Sequence, residues 1–95
     1  MYKYFVPNDV NYLLHRNRLG KPYFRKVKVK CIFRDGEEVI CFNGKDNIIR
    51  YRKGITTAHR LCNSQKEANE YARSVIQTEI DILSHKVNVL QLILK

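Results

Sequence analysis

The stretch that decides the fold is KVKVKCIFRDGEEVICF, residues 26–42. In its first half valines alternate with lysines, which is the period-two pattern of a strand with one buried face. Asp35-Gly36 follows, and this dipeptide is typical of a two-residue type I′ turn, because both of its residues must adopt a positive φ. The second half is again rich in strand-forming residues. The stretch therefore predicts a β-hairpin whose first strand covers residues 23–33.

The turn sets the pairing of the two strands. With Asp35 and Gly36 as the loop, Arg34 faces Glu37. The pairs that follow are Phe33 with Glu38, Cys31 with Ile40, Val29 with Phe42, Lys30 with Cys41 and Lys28 with Asn43. One face of the hairpin is then apolar and the other is basic, whereas a slip by one residue would mix the two sets. In this register Cys31 and Cys41 lie on opposite faces and are not expected to form a disulfide bond.

Shorter elements flank the hairpin. The polar residues after Pro7 and the apolar spacing beyond them predict a short helix over residues 9–18. Residues 43–47 form a second turn. A third strand is predicted over residues 48–52, and residues 55–62 form a fourth strand or a bent continuation of the third.

A long helix is predicted at the end of the chain. Ser64 and Glu67 form a capping box that marks its start. An apolar stripe then continues to Leu94 without a Gly or Pro, and an unbroken helix of this length would extend about 45 Å. A compact domain of this size has a radius of gyration of about 12 Å and hence a diameter of roughly 30 Å, so part of the helix would project beyond it.

Two outcomes for the projecting part stay open. Either the helix ends near residues 84–86 and residues 87–89 begin a further strand, or the helix is unbroken and pairs with a second copy. We favour the unbroken helix and a homodimer. The predicted self-association residues are spaced alternately three and four apart along one seam: Ile80, Leu83, Val87, Leu90 and Leu94.

Together these elements predict an α+β fold in a single domain over residues 1–95. A short N-terminal helix precedes an antiparallel sheet of three to four strands, with its hairpin at Asp35-Gly36. The long C-terminal helix is expected to pack on the apolar face of the sheet. The residues of that face are Val27, Val29, Cys31, Phe33, Ile40, Phe42, Ile49 and Tyr51.

The charge of the chain is strongly positive and unevenly distributed. The sequence has 18 Lys and Arg against 9 Asp and Glu, a net charge of +9, which points to a polyanionic partner. Residues 1–60 hold 14 of the basic and 5 of the acidic residues, whereas residues 61–95 hold 4 of each. The whole excess therefore lies outside the long helix.

The basic face of the sheet is the predicted binding surface. It would contact phosphates, since neutralising each phosphate releases condensed counterions. Its predicted nucleic-acid-binding residues are Lys26, Lys28, Lys30, Asn43, Arg50 and Arg52, extended by Arg16, Arg18 and Arg25. For single strands the candidate stacking residues are Tyr2, Tyr4, Tyr12 and Tyr23. We therefore predict a small protein that binds DNA or RNA without catalysis.

The same charge supports a second function. A basic face also docks on an acidic protein surface, such as the nucleic-acid site of an enzyme, and the protein would then be an inhibitor or accessory subunit. Alternating lysines also keep an exposed strand soluble and protect a sheet edge from pairing. These alternatives use the same residues and differ in the partner.

Other chemistry is not indicated by the sequence. The histidines and cysteines lack the paired spacing of a zinc site, and no phosphate-binding loop is present, so we expect no metal, cofactor or small-molecule substrate. Cys62 precedes the long helix, where its pKa could be lowered, but a buried packing role is favoured. No run of about 18 apolar residues would span a membrane. Three irregularly spaced cysteines suit reduced thiols, and we expect a cytoplasmic protein that is not an enzyme.

Overall fold

A five-stranded antiparallel sheet and two helices form the fold. The computed structural model describes residues 1–43 and 47–95, with the backbone alone at Asn43. The elements in chain order are β1 (Tyr2–Pro7), α1 (Val10–Arg18), β2 (Arg25–Phe33), β3 (Glu38–Asn43), β4 (Asn47–Arg52), β5 (His59–Cys62) and α2 (Gln65–Leu94). The predicted α+β class is confirmed, but the sheet has five strands among the described residues rather than three to four. The second turn was predicted over residues 43–47, between β3 and β4, and residues 44–46 lie outside the described part of the chain.

β1 lies inside the sheet and was not predicted from the sequence. The strand order is β4-β3-β2-β1-β5, so β1 pairs with β2 on one side and with β5 on the other. Phe5 and Val6 point to opposite faces, and both are buried. A strand buried on both faces lacks the polar alternation by which a half-buried strand is recognised. Its partner β5 is the end of the strand predicted over residues 55–62.

The hairpin turn has the predicted geometry. Asp35 and Gly36 have φ angles of 56° and 97°. The Glu37 amide donates to the Arg34 carbonyl at 3.2 Å. Positive φ at both central residues and this hydrogen bond define a type I′ turn. Arg34 also has a positive φ, of 51°, and Glu37 is helical, so the loop extends over residues 34–37 and the predicted strand pair Arg34–Glu37 is wrong.

The predicted register of the hairpin holds only next to the turn. The observed pairs are Phe33–Glu38, Cys31–Ile40, Val29–Cys41 and Lys28–Phe42. The first two confirm the prediction. The predicted pairs Val29–Phe42, Lys30–Cys41 and Lys28–Asn43 are wrong, because a bulge at Lys30 adds one residue to β2. Residues 39–42 are apolar at every position, so the hydrophobic pattern of β3 is compatible with both the predicted and the observed register.

The bulge decides which side chains share a face, because directly paired residues lie on the same face of a sheet. We call one side the inner face; its apolar residues are Phe5, Val27, Val29, Ile32, Val39, Cys41, Ile49, Tyr51 and Leu61. Lys3, Arg25 and His59 lie on the same face, towards its rim. The opposite, outer face carries the lysines of β2 and the arginines of β4. The predicted inward positions of Ile49 and Tyr51 are confirmed. The predicted inward positions of Cys31, Phe33, Ile40 and Phe42 are wrong, since all four lie on the outer face.

The inner face is closed by the curl of the sheet. β1 and β4 are separated by two other strands, which corresponds to about 14 Å in a flat sheet. The rings of Phe5 and Tyr51 nevertheless lie with their centroids 6.1 Å apart. Val27, Val39 and Cys41 belong to the same cluster and are at most 3% exposed. The sheet thus wraps around its own apolar face.

Both helices pack on the outer face, mainly over β1 and β5. Leu13 of α1 is fully buried there, as are Ala68 and Ala72 of α2. They form one cluster with Val6 and Cys62. The prediction that the long helix covers the apolar face, opposite the lysines, is therefore wrong. The centre of that face is already buried by the curl of the sheet itself, and the helices cover part of the basic face instead.

The long helix α2 is unbroken over 30 residues. The Ser64 hydroxyl accepts from the Glu67 amide at 3.1 Å, as predicted, but the Glu67 carboxylate accepts from the Asn63 amide rather than from that of Ser64. The alternative in which residues 87–89 form a strand is wrong. The second half of the helix projects beyond the sheet, which makes the molecule 58 Å long but only 31 by 22 Å across.

Candidate nucleic-acid interface

Part of the outer face is not covered by the helices. It consists of the outer side chains of β2, β3 and β4 with the start of β1, and we call it the basic platform. We apply this name to Tyr2, Lys26, Lys28, Lys30, Phe42, Ile48, Arg50 and Arg52; towards the hairpin turn the outer face continues with Cys31, Phe33, Glu38 and Ile40. All platform residues are exposed except Phe42, which is half-buried. The platform therefore unites five of the six sheet residues predicted to bind nucleic acid; the side chain of the sixth, Asn43, lies outside the described part of the chain.

One row of residues crosses the platform from strand to strand. Tyr2 pairs with Lys28, Lys28 with Phe42, and Phe42 with Ile48. Neighbouring strands lie about 4.8 Å apart, so Tyr2 and Phe42 are about 10 Å apart with Lys28 between them. The row thus places a cation between two aromatic rings.

Two further lysines lie over these rings. The Lys26 Nζ is 4.2 Å from the centroid of the Tyr2 ring, and the Lys30 Nζ is 5.8 Å from that of Phe42. A cation over an aromatic face is attracted by the quadrupole of the ring, and at exposed sites the gain is about 0.5–1 kcal/mol. Lys30 is the bulge residue, and its contact with Phe42 holds its side chain on the outer face.

The arginine side of the platform also carries a carboxylate. Glu38 Oε1 lies 2.9 Å from Arg50 Nε and 3.9 Å from Arg52 Nε. In the sequence-based prediction Glu38 is paired with Phe33 only, and this contact was missed. Counting back from the predicted turn over residues 43–47 pairs Glu38 with Arg52, as observed, so the sequence contained the signal. Since Glu38 partly neutralises two cations, the positive potential of the platform is strongest at its lysine side.

The three arginines predicted to extend the surface do not join the platform. Arg16 donates to two backbone carbonyls of the segment before β2, one of them that of Phe24 at 2.8 Å, and so fixes this segment to α1. Burial, with Arg25 nearby, lowers the pKa of the Arg16 guanidinium. Arg25 pairs with Phe5 and therefore belongs to the inner side of the sheet. Arg18 is exposed on α1.

Of the four candidate stacking tyrosines, Tyr2 lies on the platform and is 49% exposed. Tyr4 packs edge-on against Phe24, Tyr23 packs against the core under the helices, and Tyr12 is exposed on α1. Sequence reasoning missed Phe42 as a platform residue, because it assigned this ring to the apolar face. Only the bulge in the neighbouring strand turns Phe42 outward.

The predicted self-association residues all lie on the projecting half of α2. They are exposed by 49% for Ile80, 51% for Leu83, 50% for Val87, 50% for Leu90 and 86% for Leu94. The same half of the helix makes no part of either buried cluster. These side chains therefore form a surface separate from the platform.

The buried thiols are not activated. Burial, with Glu67 as a second cause, raises the pKa of Cys62, and burial likewise raises the pKa of Cys41. Within residues 1–43 and 47–95, no three or more His, Cys, Asp or Glu side chains cluster as metal ligands would. In the same part of the chain, neither helix has an apolar stretch long enough to cross a membrane.

Comparisons of the chain with protein-family models, with curated proteins and with solved structures gave no match. The geometry and charge of the basic platform are therefore the basis on which a function can be assigned. Its distinguishing feature is the combination of exposed lysines with aromatic rings on one open sheet surface.

Proposed function

We propose that the protein binds single-stranded nucleic acid through the basic platform. The observation that carries this proposal is the row in which Lys28 lies between the rings of Tyr2 and Phe42. Proteins that bind single strands combine cations along the phosphate backbone with aromatic rings on which bases stack. The platform offers both groups side by side, and the net charge of +9 favours association with a polyanion.

In the proposed complex the lysines bind phosphates and the rings bind bases. Lys26 and Lys30 lie over the rings in the free protein. Their flexible four-carbon stems allow each ammonium group to move to a phosphate when a base takes its place on the ring. A stacked base contributes about 1–3 kcal/mol. Salt weakens the complex, because each neutralised phosphate of a single strand gives a slope of about −0.7 in log affinity against log salt.

A single strand fits the platform better than a duplex does. The bases of a duplex are stacked inside the double helix, so a duplex would offer the platform only its phosphates. The exposed ring of Tyr2 would then have no partner. Arg50, the platform residue best suited to reading a base edge, is held by Glu38 at 2.9 Å. Binding with little sequence preference is therefore expected.

The phosphate contacts are tested by fluorescence polarisation with three labelled probes over a salt series: oligothymidine, single-stranded RNA of mixed sequence, and duplex DNA. The triple variant Lys26→Gln, Lys28→Gln, Lys30→Gln should lose at least about tenfold in affinity for single strands, and its salt slope should flatten by about two. The control variant Lys21→Gln, Lys53→Gln, Lys66→Gln removes the same charge from exposed positions outside the platform. It should retain most of the affinity, and equal losses in the two variants would contradict the assignment of the platform.

The stacking contacts are tested by a matched pair of tyrosine variants. Tyr2→Ala should weaken single-strand binding by about tenfold, in line with the loss of one stacked base. Tyr12→Ala removes an exposed tyrosine of α1 and should have no effect. Equal affinity for duplex and single strands would contradict the stacking mode. If none of the three probes binds even at low salt, the proposal is overturned, and an acidic protein becomes the partner to search for.

A further inference from the structure

The projecting half of α2 is apolar and uncovered. Every residue from Ile80 to Lys95 is exposed, and we call residues 77–95 the overhang. Its large apolar side chains are 41–86% exposed: Ile80, Ile82, Leu83, Val87, Val89, Leu90, Leu92, Ile93 and Leu94. Nine such residues on one short segment exceed the scattered apolar groups that are normal on a monomer surface. A helix that is apolar on most sides is stable in water only when it is covered.

We propose that the overhang is covered by the overhang of a second copy of this chain, running antiparallel to it. In this dimer Ile80 lies against Leu90 of the partner subunit, and Leu83 lies against Val87 of the partner subunit. The two-fold axis of this dimer crosses the seam at the level of residue 85 along the helix. The proposal concerns α2 alone and is independent of nucleic-acid binding.

The spacing of the apolar residues supports a paired helix. Ile80, Leu83, Val87, Leu90 and Leu94 follow one another at alternating intervals of three and four residues. This repeat keeps one seam facing a second helix over the whole length. A two-fold interface also requires the same surface on both partners, and a seam that is apolar throughout can serve as its own complement. A second copy can therefore bury the apolar seam without any other partner.

The direction of the seam excludes a parallel pair in register. Leu83 and Leu90 are about three and about five full turns beyond Ala72, so they point in the same direction as this residue. Ala72 faces the chain's own sheet and is fully buried against it. A second helix placed on the seam and running parallel would therefore continue into the space that this sheet occupies.

An antiparallel copy avoids this clash. The sheet of the second copy then lies beyond the C-terminal end of the first helix. The last turn of the second helix lies near Ile76 of the first copy, where the first sheet ends. The overlap extends over residues 76–94 of each copy, or about 27 Å of helix. The charges at the two ends of the overhang agree, because Glu79 and Asp81 lie at one end and Lys95 at the other; Lys86 lies near the middle, where antiparallel pairing brings it close to Lys86 of the partner subunit. Antiparallel pairing brings opposite charges to the same end, as it does for the two helix dipoles.

The first test is the mass in solution, measured by light scattering or sedimentation equilibrium. The full chain should be a dimer at micromolar concentration. Val87→Glu buries a charge in the seam of each copy and should raise the dissociation constant by about two orders of magnitude. His85→Glu introduces the same charge on the opposite side of the helix and should leave the dimer intact. A monomeric wild-type chain overturns the proposal, as does dissociation by His85→Glu with no effect of Val87→Glu.

The second test measures the orientation by pulsed electron paramagnetic resonance between identical spin labels. Single cysteines for labelling replace Gln77, Ser84 or Gln91 in a Cys31→Ser background, because Cys41 and Cys62 are buried. In the antiparallel dimer the labels at residue 84 lie side by side, whereas those at 77 and 91 are about 20 Å apart along the helix axis. A short distance in the middle and long distances at both ends is the expected result. Equal distances at all three positions would demonstrate a parallel pair and overturn the proposal.

Discussion

The inner face of the sheet is closed by the sheet itself, whereas the outer face is covered by helices over only part of its width. On the inner face, rings from β1 and β4 meet at 6.1 Å, and Val27 and Cys41 are at most 1% exposed. On the outer face, Lys28 and Arg50 stay in water. The two faces belong to the same five strands, so the difference arises from which side chains each strand directs to each side.

The lysines of β2 determine which face can close. They alternate with Val27 and Val29, so only the valine side can lose its water without the large cost of burying an unpaired charge. β3 is apolar on both sides and follows whichever register its neighbour sets. Because of the bulge at Lys30, Val39 and Cys41 lie on the inner face, whereas Phe42 lies on the outer face. The same bulge therefore completes the core and supplies the platform with an aromatic ring.

The largest effect is expected from single-residue deletions in β2. Deleting one residue from a strand normally moves every following side chain to the other face. Deleting Lys28 should therefore prevent folding. Deleting Lys30 removes the bulge residue, leaves the pairs Val29–Cys41 and Cys31–Ile40 adjacent in a regular ladder, and should yield a folded protein. Circular dichroism and urea unfolding compare the two, and an unfolded Lys30 deletion would contradict the account of the bulge.

A smaller effect is expected when one apolar side chain is shortened on each face of the sheet. Val27→Ala removes apolar volume from the closed face, where the side chain is 1% exposed, and should lower the free energy of unfolding by about 2 kcal/mol. Ile48→Ala removes apolar volume from the open face, where the side chain is 56% exposed, and should cost less than about 0.5 kcal/mol. Urea titrations measure both. Similar losses at the two sites would mean that the open face is covered in solution.

A still smaller effect on stability is expected from replacing Glu38 on the outer face. Glu38→Gln removes the carboxylate that Arg50 contacts at 2.9 Å, and an exposed ion pair of this kind contributes about 0.5 kcal/mol to stability. The same change frees two guanidinium groups and should strengthen nucleic-acid binding severalfold while steepening its salt dependence. Glu37→Gln makes the same change of charge in the turn and is the control. Equal gains in affinity from both variants would assign the effect to net charge rather than to the platform.

The smallest effect concerns the rim of the closed face. Burial, with Arg25 as a second cause, lowers the pKa of His59, whose ring packs edge-on against Phe5. His59 therefore binds a proton more readily in the unfolded chain than in the folded one. The free energy of unfolding is highest above the usual histidine pKa of about 6.5, and it decreases as the pH falls from there through the lowered pKa of the folded state. The urea midpoint should decrease between about pH 7.5 and pH 5. His59→Gln should reduce this decrease, whereas His15→Gln on exposed α1 should not.

The sequence predicts the parts of the fold that are encoded by neighbouring residues. The type I′ turn at Asp35-Gly36 and the cap at Ser64 depend on a few adjacent positions, and both are confirmed. The long helix is confirmed for the same reason. β1 escaped prediction because it pairs with residues far along the chain and because its buried residues, Phe5 and Val6, lie on opposite sides of the strand. The side on which the helices pack followed from the curl of the sheet, which no periodicity in the sequence reports.

The candidate site was predicted in part. The alternation of lysines placed Lys26 and Lys28 on one face correctly, because this pattern is independent of the neighbouring strand. The ring of Phe42 was assigned to the wrong face, because its orientation depends on an extra residue in another strand. Arg16 was grouped with the binding residues by charge alone, but its guanidinium is occupied by backbone carbonyls.

The interior position of β1 has a consequence for how the chain is made. During synthesis β1 emerges from the ribosome before either of its two neighbours, and β5 follows only after residues 8–58 have been added. Until then Phe5 and Val6 lack the neighbours that bury them. Joining such distant segments has an entropic cost before any contact is gained, which slows folding relative to a helical protein of equal size. The nascent chain therefore presents the apolar pair Phe5 and Val6 to solvent until β5 has been added.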